Sequence, residues 1–156
     1  MRGGKGCYGP PLRKDYHLPQ GIHSPSDSKA RIALALYREA LSVQNIPYEF
    51  LGYCKIINVC YHTTSDQITW INKTLPQLTD RRARDRISEL SAMENDIGDY
   101  LYHSGRCAVA HASTTRVVDP DNPDDVFRLS ADMRVARALA EYLIENQLGI
   151  TWELSR

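Results

Sequence analysis

Apolar side chains recur at helical spacing from Ser28 onward. In ARIALALYREALSV, residues 30–43, they lie nearly all round the segment Ile32–Tyr37. A helix that is apolar on every side is buried, so this pattern predicts a central first helix. Ser26, Asp27 or Ser28 can accept its first free amide hydrogens.

Two further helices are predicted before residue 80. Asn45 is a candidate cap for a second helix over about 47–62, whose apolar stripe comprises Phe50, Cys54, Ile57 and Tyr61. Thr64 and Gln67 have the spacing of a capping box at the start of a third. Pro76 should end that third helix, because proline lacks an amide hydrogen and clashes with the preceding turn.

The pattern after Thr79 and Asp80 predicts one long amphipathic helix that reaches about Tyr102. Its apolar stripe comprises Ile87, Leu90, Met93 or Glu94, Ile97 and Leu101, and its polar side Arg84, Asp85, Arg86 and Glu89. The residues that can end or kink it are His103, Ser104 and Gly105.

A turn-rich segment, DPDNPDD at residues 119–125, precedes the last helix. It resembles a calcium loop only superficially, because Asp124 and Ser130 stand where such a loop needs glycine and glutamate. Asn122 can cap a helix that begins at Pro123, and Ser130 can cap a last helix closed by Gly149. No segment alternates with a two-residue period. The predicted fold class is all-α, a bundle of about five or six helices over residues 28–156.

Residues 1–27 differ in character and predict an irregular N-terminal arm. They are rich in proline and glycine and show no sustained periodicity. The arm also carries His17 and His23, which we interpret as solvated loop residues because no paired ligand lies near them.

Charge and cysteine content narrow the functional classes. Nineteen basic residues balance nineteen acidic ones, so a polyanion would have to be held by a local patch. No stretch has the length of a membrane span or of a signal peptide's apolar core, which predicts a cytoplasmic protein. The spacing of Cys7, Cys54, Cys60 and Cys107 favours reduced packing thiols over disulfides or a metal site, and we expect no cofactor.

The stretch SGRCAVAHAS, residues 104–113, carries the candidate chemistry. On a straight helix Arg106 and His111 would differ by about 140° and would not share a face. They can meet if the helix is irregular after Gly105, or if two copies of the segment lie antiparallel across a two-fold axis. Alternatively, the segment is an alanine-rich packing element whose arginine pairs with Asp96 or Asp99.

Arg106 and His111, with four residues between them and Tyr100-Leu101-Tyr102 just before, resemble the motif of the HEPN superfamily. The continuation from SGRCAVAHA to the last helix also resembles small bacterial proteins labelled methylamine-utilisation proteins. The HEPN resemblance implies a helical bundle that dimerises. It also implies a metal-independent endoribonuclease in which this arginine and histidine are catalytic. Such an enzyme would act as a toxin or in defence.

The roles that follow from this resemblance are specific. His111 would exchange protons with the ribose hydroxyl or the leaving oxygen, and Arg106 would stabilise charge on the phosphate. The residues expected to support them are Asp99, Tyr102 and His103. Cys107 departs from the family's pattern, because catalytic members frequently carry a polar residue directly after the arginine. A catalytically inactive HEPN-type binding or dimerisation module is therefore the alternative, and a helical domain unrelated to HEPN a third possibility.

The only dense basic cluster is RRARDR, residues 81–86. Its residues Arg81, Arg82 and Arg84 are candidates for binding RNA phosphates, and a solvated helix face is the alternative. The expected partners are a second copy of the chain, RNA, and an antitoxin or regulatory protein, with no membrane.

Overall fold

The computed structural model describes residues 27–110 and 117–151. Its α-helices are α1 Ser28–Ser42, α2 Ile46–Asn58, α3 Thr64–Thr74, α4 Arg81–Ser91, α5 Ile97–Tyr100, α6 Ala108–Ala110 and α7 Pro123–Asn146. A 3-10 turn, Leu75–Gln77, follows α3, and a π-helical segment, Leu101–Cys107, joins α5 to α6. When the continuous helical run 97–110 is counted as one, the described part of the chain contains six helical segments and no strand. The predicted all-α fold is confirmed, and the predicted arm lies outside the described residues except for Asp27.

Most of the helices begin where the sequence predicts, and a side chain caps each of these starts. The capping residues Asp27, Asn45, Asp80 and Asn122 each accept a hydrogen bond from an amide two or three residues ahead. One predicted cap is wrong by a single position. Thr63 rather than Thr64 accepts from the Asp66 amide, at 3.1 Å. Gln67 therefore lies inside α3, where it is buried.

The prediction of a single long helix from Asp80 to Tyr102 is wrong, because the helix is interrupted between α4 and α5. Asp96 is extended, and its Oδ1 accepts from the Asp99 amide at 2.8 Å, which starts a new helix. The same oxygen accepts from Asn72 Nδ2 of α3, also at 2.8 Å. Met93, placed by the sequence on the apolar stripe, is 64% exposed. The extended Asp96 thus separates α4 from α5.

We expect the Asp96→Ala variant to lose about 1 kcal/mol of unfolding free energy near neutral pH, the usual cost of a lost cap. The amide of Asp99 and then Asn72 hold the pKa of Asp96 below its usual value. A carboxyl with a lowered pKa in the folded state stabilises it above the unfolded pKa, about 3.9, and loses that effect as the pH falls through the folded pKa. Urea denaturation at several pH values should therefore show the gap between variant and wild type closing in acid. A gap that stays constant would contradict this assignment.

The last helix is one continuous element, and the predicted cap at Ser130 is wrong. The helix α7 runs for 24 residues from Pro123, with Asn122 as its cap, and passes through Ser130. Acidic side chains around the start of α7 accept hydrogen bonds from backbone amides: Asp119 accepts from the Asp121 amide, and Asp125, in the first turn, accepts from that of Asp119. Its end agrees with the prediction, since Gly149 has a φ of 68°. There the Ile150 amide donates to the Ile144 carbonyl at 3.1 Å.

The core lies between α7, α2 and α1. Among its fully buried side chains are Phe50, Tyr53 and Ile56 of α2 and Leu129, Val135, Leu139, Leu143 and Ile144 of α7. Gly52 lets α1 and α2 approach, because a Cβ there would stand 2.8 Å from the Cβ of Ala40. The helix α2 packs most extensively against α7 and next most extensively against α1. In the part of the chain that the structure describes, no helix is both long and apolar enough to span a membrane.

Candidate functional site

The segment that carries Arg106 is π-helical over Leu101–Cys107. The Ala108 amide donates to the His103 carbonyl, five residues earlier, as a π-helix requires. An irregular helix, one of the two arrangements that the sequence left open, thus exists, but it begins at Leu101, four residues before Gly105. A π turn holds an extra residue, so the angle expected for a straight α-helix does not apply here. His111 lies outside the described residues, and its meeting with Arg106 stays a prediction.

A close approach to α2 constrains this segment at Gly105. A Cβ at that position would lie 2.5 Å from Cζ of Phe50 and 2.7 Å from its Cε1. Phe50 is fully buried, so neither group has room to move. The missing side chain therefore lets the segment that bears Arg106 pack directly on the core.

We expect Gly105→Ala to lower the free energy of unfolding by about 1–3 kcal/mol, the usual cost of overpacking a core. Phe50→Leu removes the ring edge that the new methyl group would meet, although it leaves a cavity of its own. The double variant should therefore lose clearly less than the sum of the two single losses. Chemical denaturation of the four proteins measures this coupling, and strict additivity would show that Phe50 does not set the requirement for glycine.

Tyr102 holds the guanidinium of Arg106. The Nη1 atom of Arg106 donates to the Tyr102 hydroxyl at 2.8 Å, and its Cζ lies 4.9 Å from the centroid of the tyrosine ring. The same hydroxyl lies 2.9 Å from Oγ1 of Thr64, in the first turn of α3. Because a hydroxyl that accepts from arginine still has its own hydrogen, Tyr102 can donate to Thr64. Arg106 is thus half-buried in a defined position.

The predicted supporting residues Asp99 and His103 lie at the outer edge of this arrangement. Nε2 of His103 is 3.5 Å from Oδ1 of Asp99, and both side chains are more than half exposed. The His103 ring stands edge-on to Tyr102 with 5.0 Å between centroids. The polar partners that the described residues supply to Arg106 are Tyr102 and the Cys107 sulfur, at 3.9 Å, rather than Asp96 or Asp99.

A small cavity lies on the inner side of Arg106. Its volume is about 10 Å³, close to the least that holds one water molecule. Its walls include Phe50, Cys54, Gln67, Tyr102 and Arg106. Burial raises the pKa of the Cys54 thiol to about 12, against the opposing effect of Arg106. A nucleotide cannot enter this space, so a substrate would have to approach Arg106 from its solvent side.

The candidate phosphate-binding residues Arg81, Arg82 and Arg84 are exposed in the first turn of α4, and Asp85, directly after Arg84, is exposed beside them. Arg86, predicted on the same solvated side, instead points inward. Its Nε atom donates to Oδ1 of Asp132 at 2.9 Å, and its Nη2 atom lies 2.8 Å from the same oxygen in an ion pair. The exposed basic face is therefore smaller than the sequence cluster suggests.

A buried polar cluster behind the π-helical segment was missed by sequence reasoning. The carboxylate of Asp132, on α7, has no solvent exposure and accepts from Arg86 and from the Tyr100 hydroxyl, the latter at 2.8 Å. Burial raises the pKa of Tyr100, so the phenol remains a donor to the carboxylate. The sequence does hold a signal, because Asp132 falls between Leu129 and Val135 on the apolar stripe of α7.

Comparison with models of protein families gives a match. The family model described as methylamine utilization protein MauJ matches residues 33–145, which include the π-helical segment and nearly all of α1 to α7. The chain belongs to the MauJ family. The predicted closeness to methylamine-utilisation proteins is thereby confirmed, while the HEPN resemblance stays a prediction. A search of curated proteins and a search of solved structures found no match.

Proposed function

We propose that this MauJ family member is a metal-independent endoribonuclease of the HEPN type that acts as a homodimer. The observation that carries the proposal is the position of Arg106. Its guanidinium is half-buried against Tyr102 in a π-helical segment, five residues before His111. Such segments are frequent at functional sites, and an arginine held in a defined place presents a planar set of donors that matches phosphate oxygens.

The proposed reaction is a transphosphorylation within RNA. The ribose 2′-oxygen attacks the adjacent phosphorus, the bond from phosphorus to the 5′-oxygen breaks, and the leaving oxygen takes up a proton. His111 accepts the hydroxyl proton or supplies the one that the leaving oxygen needs, since an imidazole ordinarily titrates near pH 6.5. Arg106 stabilises the negative charge that builds on the phosphate. The products are a 2′,3′-cyclic phosphate and a 5′-hydroxyl.

A second copy of the chain completes the proposed site. The cavity beside Arg106 is too small for a nucleotide, so a cleft between two protomers gives the substrate a place. Apolar side chains near the motif support this contact. The Val118 amide donates to the Ala108 carbonyl at 3.1 Å, which places the half-exposed Val117 beside α6. Phe127, in the first turns of α7, is 80% exposed.

Purified protein incubated with labelled RNA in EDTA tests the proposal. We expect cleavage that leaves 2′,3′-cyclic phosphate ends, and no cleavage of the matching DNA, which lacks the attacking hydroxyl. Light scattering of the same sample should give twice the chain mass. A monomer, or intact RNA across single-stranded and transfer RNA substrates, would refute the nuclease proposal. Uncontrolled RNA cleavage would harm the host, so the proposal includes an antitoxin or regulatory protein that restrains the enzyme.

The second candidate is a catalytically inactive HEPN-type binding or dimerisation module. Cys107 favours it, because this thiol stands directly after Arg106, where catalytic HEPN members frequently carry a polar residue. The Cys107 sulfur lies 3.9 Å from Nη1 of Arg106, so this thiol is in contact with the candidate catalytic group. A dimer that leaves RNA intact in the cleavage assay would favour this function.

A further inference from the structure

The buried cluster of Asp132, Arg86, Tyr100 and Arg128 joins three helices of the fold. Arg86 comes from α4, Tyr100 from the end of α5, and Asp132 and Arg128 from α7. Arg86 and Tyr100 take separate oxygens of the carboxylate, at 2.8 to 2.9 Å. Because Asp132 is fully buried, these donors offset the cost of removing its charge from water.

Arg128 connects this cluster to the segment that bears Arg106. Its Nη1 atom lies 3.5 Å from Oδ2 of Asp132 and donates to the Tyr100 hydroxyl at 3.3 Å. The same atom donates to the Ser104 carbonyl at 3.1 Å. This last bond joins residues 24 positions apart and reaches the middle of the π-helical segment, two residues before Arg106.

The π-helical geometry needs such tertiary support. A π-helix is rare and occurs mainly as short insertions in α-helices, so a chain without outside contacts favours the α form. Here the segment is held on its apolar side by Phe50 against Gly105 and on its polar side by Arg128 against Ser104. A shift back to α-helical winding would rotate Arg106 relative to Tyr102 and Thr64.

We propose that Arg128 is a positioning residue that sets the place of the Arg106 guanidinium by holding the Ser104 carbonyl. Its effect on catalysis rests on the nuclease function proposed above, whereas its effect on the position of Arg106 does not. Asp132 orients Arg128 in turn, and its remaining donors, Arg86 and Tyr100, keep the carboxylate paired when Arg128 is removed. An Arg128→Ala protein should therefore fold.

Two readouts on Arg128→Ala test this role. In isotope-labelled protein, the Nε–H resonance of Arg106, assigned by its absence in Arg106→Lys, should move toward that of a free arginine. In the RNA assay, kcat should fall about 10- to 100-fold, because a small misplacement of a catalytic group has effects of this size. KM should change by less than about twofold if the binding surface is intact.

Arg137→Ala is the matched control, since Arg137 also lies on α7 and also pairs with a carboxylate, that of Glu141 at 2.8 Å. It should leave the Arg106 resonance and kcat as in the wild type. An unmoved Arg106 resonance in Arg128→Ala would overturn the inference, and so would an unchanged kcat in an active enzyme. If the wild type does not cleave RNA, the nuclease proposal fails and the resonance alone decides the role of Arg128. If Arg128→Ala does not fold, Arg128→Lys, which keeps the charge but loses the planar donors, is judged by the same readouts.

Discussion

Arg106→Ala is expected to lower kcat/KM for RNA cleavage at least about 100-fold, the usual loss when a group that stabilises transition-state charge is removed. The free energy of unfolding should fall by only about 1 kcal/mol, because the side chain is half-buried and its described hydrogen bonds are to the Tyr102 hydroxyl and the Cys107 sulfur rather than to a carboxylate. The variant should therefore lose most of its activity while it keeps most of its stability. Cleavage kinetics and urea denaturation of the same preparation measure both.

Two further variants sharpen this prediction. Arg106→Lys keeps the positive charge but loses the planar donors that match two phosphate oxygens, so it should recover only a small part of the rate. Arg38→Ala removes an exposed arginine of α1 and should cleave within about twofold of the wild type. Cleavage by Arg106→Ala at the wild-type rate would mean that this guanidinium does not act in the reaction, or that the activity comes from a contaminant.

Asp132→Ala is expected to lower the free energy of unfolding by about 3–5 kcal/mol, the usual range when one partner of a buried ion pair is removed. The change removes the buried acceptor of the Arg86 Nε–H and of the Tyr100 hydroxyl. The loss is larger than that of a surface pair because the Arg86 side chain is only 13% exposed and keeps only the solvent-exposed Glu89 as a carboxylate partner. Chemical denaturation measures it directly.

Glu89 provides the matched control, since it is the other carboxylate bonded to Arg86, at 2.8 Å, and is 62% exposed. Glu89→Ala should therefore cost no more than about 1 kcal/mol. Asp132→Asn, which keeps the shape but loses the charge, should fall between the two. Equal losses for Asp132→Ala and Glu89→Ala would show that burial does not set the strength of the Asp132 contacts.

Local sequence features were enough to predict most helix starts and the fold class. Asn45 and Asn122 cap helices as predicted, because a cap needs only an amide within the next three residues. The failures occur where a contact distant in sequence decides. Asp96 breaks the long helix while bonded to Asn72 of α3, and Ser130 starts no helix because α7 passes through the core at that point.

The candidate site shows the same division. The sequence alone singled out Arg106, Tyr102 and His103, and an irregular helix near Gly105 was one of the alternatives it left open. It did not reveal that Tyr102 holds Arg106, or that Gly105 packs on Phe50, because both depend on the π-helical winding of the segment. No periodicity in the sequence encodes that winding.

The sequence by itself therefore determined the helical fold class, the capped helix starts and the position along the chain of the arginine with candidate chemistry. These follow from hydrogen bonds and apolar periodicity within a few residues. Only the tertiary structure decided that Arg86 turns inward to a buried Asp132, and that Arg128 reaches the carbonyl of Ser104. Such contacts join residues 24 or more positions apart, so they exist only once α4 and the π-helical segment pack against α7.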